Sequence, residues 1–151
     1  MQTIIQITEL SHDDLVFLFS TALYGSDTFT SFYLDKHYDS LPKKVRKDDE
    51  CFEDKYATLL LNGKPIYITD ECAEGEIYGK NKVYGRVNDD DENESVTYIL
   101  FYDLMLKTIN EQLSDDDRCF LIAFFDAPEE HDFFDAQKAL QLIMWGEEIY
   151  G

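Results

Sequence analysis

Leu15, Leu18, Phe19, Ala22 and Leu23 recur at three- and four-residue spacing, so one apolar stripe faces inward along a helix. Ser11 stands at the N-cap with Asp14 at the capping-box position, and Gly25 supplies the stop. Upstream, Ile5 and Ile7 alternate with Gln6 and Thr8, which predicts a first strand. Residues 26–41 mix Ser, Thr, Asp and aromatics without a period and read as loop or short strand. A second helix is expected from about Cys51 to Leu61, with Phe52, Tyr56, Leu59 and Leu60 on its apolar face and Asn62-Gly63 as terminator.

Ile66-Tyr67-Ile68-Thr69 has the β-branched and aromatic content of a strand. Gly75, Gly79 and Gly85, set among Ile77-Tyr78 and Val83-Tyr84, predict a hairpin or paired turns, with residues 89–94 as polar loop. Val96 to Ile99 is a further strand. Phe101, Leu104, Met105, Ile109 and Leu113 then trace a helical stripe. The block from Cys119 to Phe125 could be buried strand or buried helix, and Ser114 with Asp117 three residues on favours the helix. A last helix carries Phe133, Ala136, Leu140, Ile143 and Met144 and closes at Gly146, before a short segment at residues 148–150. The pattern predicts one α+β domain over residues 1–151, with about four amphipathic helices packed on a small mixed or antiparallel sheet.

Charge changes this picture more than any motif does. Thirty-two acidic residues against thirteen Lys and Arg give a formal net charge of −19 over 151 residues. Such a charge with few apolar residues would predict disorder, but the hydrophobic class reaches 44% and aromatics 15%, enough for a core. Residues 65–113 carry −7 and residues 114–151 carry −8, so the negative field concentrates in the second half. Lys43, Lys44, Arg46 and Lys47 form a basic cluster that Asp48, Asp49 and Glu50 offset at once, which reads as a solvated loop.

Acids at Asp13-Asp14, Asp48 to Glu50, Asp115 to Asp117 and Glu129-Glu130 precede or open expected helices, where they complement the helix dipole. Capping does not account for Asp89-Asp90-Asp91-Glu92 with Glu94, nor for the shortage of balancing bases. Asp89, Asp90, Asp91, Glu92, Glu94, Asp115, Asp116 and Asp117 are therefore the candidate partner-binding residues, offered to a basic protein surface such as that of a nucleic-acid-binding protein. Such a field repels nucleic acid itself and anionic membrane.

Duplex DNA carries one charge per about 1.7 Å of axis, so a charge of −19 matches about 32 Å of helix, close to the diameter of a domain this long. The acidic balance is similar in kind to that of DNA-mimicking anti-restriction and nuclease-inhibitor proteins. That similarity is one of composition and transfers no residue roles.

Motifs for chemistry fall short. Asp89, Asp91 and Asn93 have the one-three-five spacing of a calcium loop, but Glu94 replaces the turn glycine and Leu100 the bidentate Glu. Gly75 to Lys80 is one residue short of a phosphate-binding loop and lacks its Ser or Thr. Cys51, Cys72 and Cys119 show no paired spacing, so no disulfide, metal or cofactor is expected, and His12, His37 and His131 have no spacing that ties them to a thiol. Buried or half-buried cysteines, a reducing cytoplasmic compartment and a non-enzymatic binding role are the expectations. The alternatives are an enzyme whose site assembles from scattered residues, or a small-ligand or cation-binding module. Phe29, Phe32, Tyr33 and Tyr38, with the later tyrosines, are mostly core but could line a groove.

Overall fold

Ser11 opens helix α1 (His12–Leu23) with a complete capping box: its hydroxyl accepts from the Asp14 amide, and the Asp14 carboxylate accepts from the Ser11 amide. The computed structural model describes residues 5–47, 50–80, 83–89 and 93–151, with 83–89 and 93 as backbone alone. After α1 come strand β1 (Phe29–Phe32), the short helix α2 (Asp35–Asp39), α3 (Phe52–Leu61) and β2 (Ile66–Asp70). Strands β3 (Val83–Asp89) and β4 (Asn93–Leu100) lead into α4 (Tyr102–Gln112), α5 (Asp115–Asp126), a 3₁₀ turn at Pro128–Glu130 and α6 (Phe133–Trp145). The chain is α+β, and residues 119–125 are helical.

The sheet is antiparallel throughout, in the order β1-β2-β4-β3. Its period-two alternation sends Ile66 and Ile68 of β2 and Val96, Tyr98 and Leu100 of β4 to one face, where all five are fully buried. On the reverse face Phe32 stacks on Tyr67 at 4.9 Å between ring centroids, and His37 of α2 lies against the same tyrosine. Thr69 and Thr97, paired across β2 and β4, share a buried 2.7 Å hydroxyl bond there.

Helix α6 packs against α1, α4 and α5, and its residues from Ala139 to Trp145 are all buried, as expected of a helix with neighbours on several sides. Trp145 at its end is ringed by Phe29, Tyr78, Tyr98 and Tyr150, with centroids 5.2 to 5.9 Å away. Gly79 fits against this ring at φ +69, where a Cβ would stand 2.8 Å from the Trp145 Cα.

The strand expected at residues 5–7 does not form. The Ile7 amide donates to Asn110 Oδ1 at 2.9 Å, and the Asn110 side-chain amide donates back to the Ile7 carbonyl at 2.8 Å. Tyr102 treats Leu10 in the same way, accepting from its amide at 2.8 Å and donating to its carbonyl at 3.1 Å. Side chains of α4 thus satisfy backbone groups that a strand would have paired with a neighbour. Gln141 repeats the device at the other end of the chain. Its Oε1 accepts from Ile149 and Tyr150, and its Nε2 donates to the Tyr150 carbonyl.

Candidate functional site

Three separated segments converge on an open groove of about 580 Å³. The first is the end of α1, where Tyr24 caps the helix and Gly25 turns the chain at φ +72. Ser26 then leads into β1, its hydroxyl accepting from the Thr28 and Phe29 amides. The second is the end of β1, which contributes Phe32 and then Tyr33. The third is the first turns of α3, where Phe52 and Tyr56, four residues apart, project on one face.

Tyr33 stands 6.4 Å from Phe52 and 6.2 Å from Tyr56, and the Tyr56 hydroxyl bonds Ser31 at 2.8 Å. Asp35 and Glu53 also line the groove, and among the described residues no Lys or Arg does. A cation is already seated beside it: Lys55 Nζ donates to the Tyr33 hydroxyl at 3.3 Å and lies 5.3 Å from the Tyr38 ring centroid and 5.7 Å from that of Tyr33. The bond to Tyr33 holds the Lys55 ammonium above its ordinary pKa.

One position differs from its sequence reading: Phe52, placed on the apolar face of its helix, is 64% exposed, and Tyr24 at the end of α1 is 86% exposed. Both rings stand open to solvent at the groove rather than closing the core.

Beside Phe52, Cys51 and His12 meet on one carboxylate. Cys51 Sγ donates to Asp54 Oδ2 at 2.9 Å, and His12 Nε2 lies 2.9 Å from Asp54 Oδ1. The order is thiol, carboxylate, imidazole, whereas nucleophilic catalysis needs the imidazole between the other two. The bond to Asp54 raises the Cys51 pKa, so this thiol is held protonated, while the bonds from Cys51 and His12 hold Asp54 below the usual carboxylate range. All three cysteines are free and exposed, not buried or half-buried as expected, because each sits at an element end or on the outer face of α5. Among the described residues, no three His, Cys, Asp or Glu side chains converge as a metal site.

The acidic candidates divide. Asp89 ends β3 and is described as backbone, and Asp90, Asp91 and Glu92 lie outside the described residues, so the calcium-like spacing lacks its middle position, Asp91, and has Asp89 and Asn93 as backbone. Glu94 is half-buried. Its carbonyl accepts from the Gly75 amide at 2.8 Å, and its carboxylate oxygen lies 3.0 Å from where a Cβ on Gly75 would stand, so the side chain folds over that turn.

Asp115 and Asp116 are exposed and Asp117 half-buried in the first turn of α5, where the Ser114 hydroxyl accepts from the Asp117 amide. Asp115 pairs with Arg118, whose guanidinium also donates to the Asn110 and Leu113 carbonyls at 3.2 and 2.8 Å. This carboxylate therefore helps hold α5 against the end of α4. Its i, i+3 spacing to Arg118 was a signal open to sequence reading. In the basic segment Lys43, Lys44 and Lys47 are exposed, and Arg46 reaches Asp39 at 4.0 Å.

No protein-family model, curated protein or solved structure matches this chain. No described helix is long and apolar enough to cross a membrane.

Proposed function

We propose that this protein is a non-enzymatic binding module that presents its carboxylate surface to a basic protein partner. The observation that carries the reading is the uncompensated charge of −19. Helices α1, α3, α4, α5 and α6 all have acids in the first turn, and none has a base in its last turn. Dipole complementarity accounts for the first half of that pattern and would have placed Lys or Arg in the second.

Helix α5 goes further, with Asp115 to Asp117 at its start and Asp126, Glu129 and Glu130 exposed at and beyond its end. At a rise of about 1.5 Å per residue these clusters stand about 16 Å apart. Acids at a helix C-terminus oppose its dipole, so their placement adds no stability to α5. A field of this sign speeds encounter with a basic surface and is screened by salt.

Surface plasmon resonance with partners captured from a cell extract tests the reading. Association should slow by about tenfold between about 0.05 M and 0.5 M salt, and the combined variant Asp116→Asn, Asp126→Asn, Glu129→Gln, Glu130→Gln should slow it several-fold without unfolding. Competition by duplex DNA for the same partner marks it as a nucleic-acid-binding protein and the acidic surface as a nucleic-acid mimic. Affinity indifferent to both salt and the variant removes the acidic surface from the explanation.

A further inference from the structure

We infer that the groove between α1, β1 and α3 is a docking site for an arginine side chain on an extended basic segment of a protein partner. The inference rests on the basic-partner reading and names the place where that partner is gripped. Three observations fix the chemistry of the occupant. Tyr24 and Phe52 leave most of their surface in water although both are large apolar rings, and both line the groove. Among the described residues its lining has two carboxylates, Asp35 and Glu53, and no base, within a chain of net charge −19, so the complementary occupant is a cation. Tyr33 already holds the Lys55 ammonium against its ring and hydroxyl, so the aromatic cluster accepts cations within this fold.

Guanidinium fits this combination better than ammonium. It is flat, weakly hydrated, stacks on aromatic faces and offers a fork of donors to a carboxylate, whereas ammonium is a strongly hydrated point charge. A cavity of about 580 Å³ is within the size range of sites that bury a ligand of several side chains, so an arginine and its flanking residues can enter together.

Fluorescence anisotropy with labelled nona-arginine and nona-lysine separates groove from field, because the two peptides carry equal charge. At about 0.15 M salt the protein should bind nona-arginine at least fivefold more tightly. The double variant Tyr24→Ala, Phe52→Ala should lose about tenfold toward nona-arginine and erase the preference, with an unchanged thermal melt because both rings are exposed. Asp35→Asn with Glu53→Gln should weaken nona-arginine several-fold.

Equal binding of both peptides, or a preference that survives the double variant, overturns the groove assignment. If binding then still falls steeply with salt, the acidic-surface reading stands without it. Failure of both peptides to bind at low salt removes both. Sedimentation of the free protein as a dimer that Tyr24→Ala, Phe52→Ala dissociates assigns the groove to a second copy and also overturns the inference.

Discussion

Asp70 ends β2 on the core face of the sheet and is fully buried, with Tyr150 donating to Oδ2 at 2.8 Å and the Cys72 amide to Oδ1 at 3.0 Å. Burial raises its pKa, and the two donors, which favour the charged form, offset that only in part. A raised carboxyl pKa contributes stability that is present below the unfolded value and lost as pH rises through the folded one. Asp70→Asn keeps an oxygen for the Cys72 amide, and the Tyr150 hydroxyl can turn to the Cys72 carbonyl 3.2 Å away. The variant is therefore expected to melt higher than the parent at pH 7, with the gap closing toward pH 4. Tyr150→Phe, which removes a donor to the charged form, should steepen the parent's loss of stability over the same window. Melting curves from pH 4 to 7 check both, and a variant less stable at every pH would show that Asp70 is held for its charge.

At the scale of elements, side-chain amides replace missing strand partners at both ends of the fold. Asn110→Leu keeps the volume of its site on α4 but leaves the Ile7 amide and carbonyl unpaired, a loss of about 1–3 kcal/mol if they stay dry. Hydrogen exchange at Ile7 should accelerate well before global unfolding, and unchanged protection would show that the segment is held by its apolar contacts alone. The same device explains where sequence reading stopped. Ile5 and Ile7 alternate as a strand does, because alternation reports which side chains are buried and not what pairs the backbone. Helices α1, α5 and α6 were legible because caps such as Ser11 and Ser114 and the 3.6-residue stripe are local. The order β1-β2-β4-β3 was not, since pairing Phe29 with Asp70 joins residues far apart in the chain. Phe32 and Tyr33 could be named as groove candidates, yet Tyr24 and Phe52 could not, because apolar pattern places large rings inside. In the Asp54 carboxylate shared by Cys51 and His12, Cys51 lies three residues away on the same turn, but His12 comes from another helix with no spacing that ties it to either.

For the whole molecule, the charge of −19 makes opposite demands on stability and on the proposed recognition of a basic partner. Apart from Asp115 with Arg118, the Lys and Arg ion pairs among the described residues do little to relieve it: Lys107 to Glu111 spans 3.9 Å on an exposed helix face, and Arg46 to Asp39 spans 4.0 Å. Pairs of this kind contribute about 0–1 kcal/mol each. Repulsion among the remaining carboxylates is greater in the compact state than in the expanded chain, so screening should favour the fold. Raising sodium chloride from about 0.01 M to 0.15 M shortens the Debye length from about 30 Å to 8 Å. The melting temperature should then rise by about 2–4 °C, equivalent to about 1 kcal/mol for a chain of this length. Binding to a basic partner should weaken over the same range, so stability and affinity are expected to move in opposite directions in one titration. A melting temperature that instead falls with added salt would mean that attractive pairs dominate the native field. The carboxylates would then be engaged within the fold, and the case for a basic partner would pass from the surface charge to the aromatic groove alone.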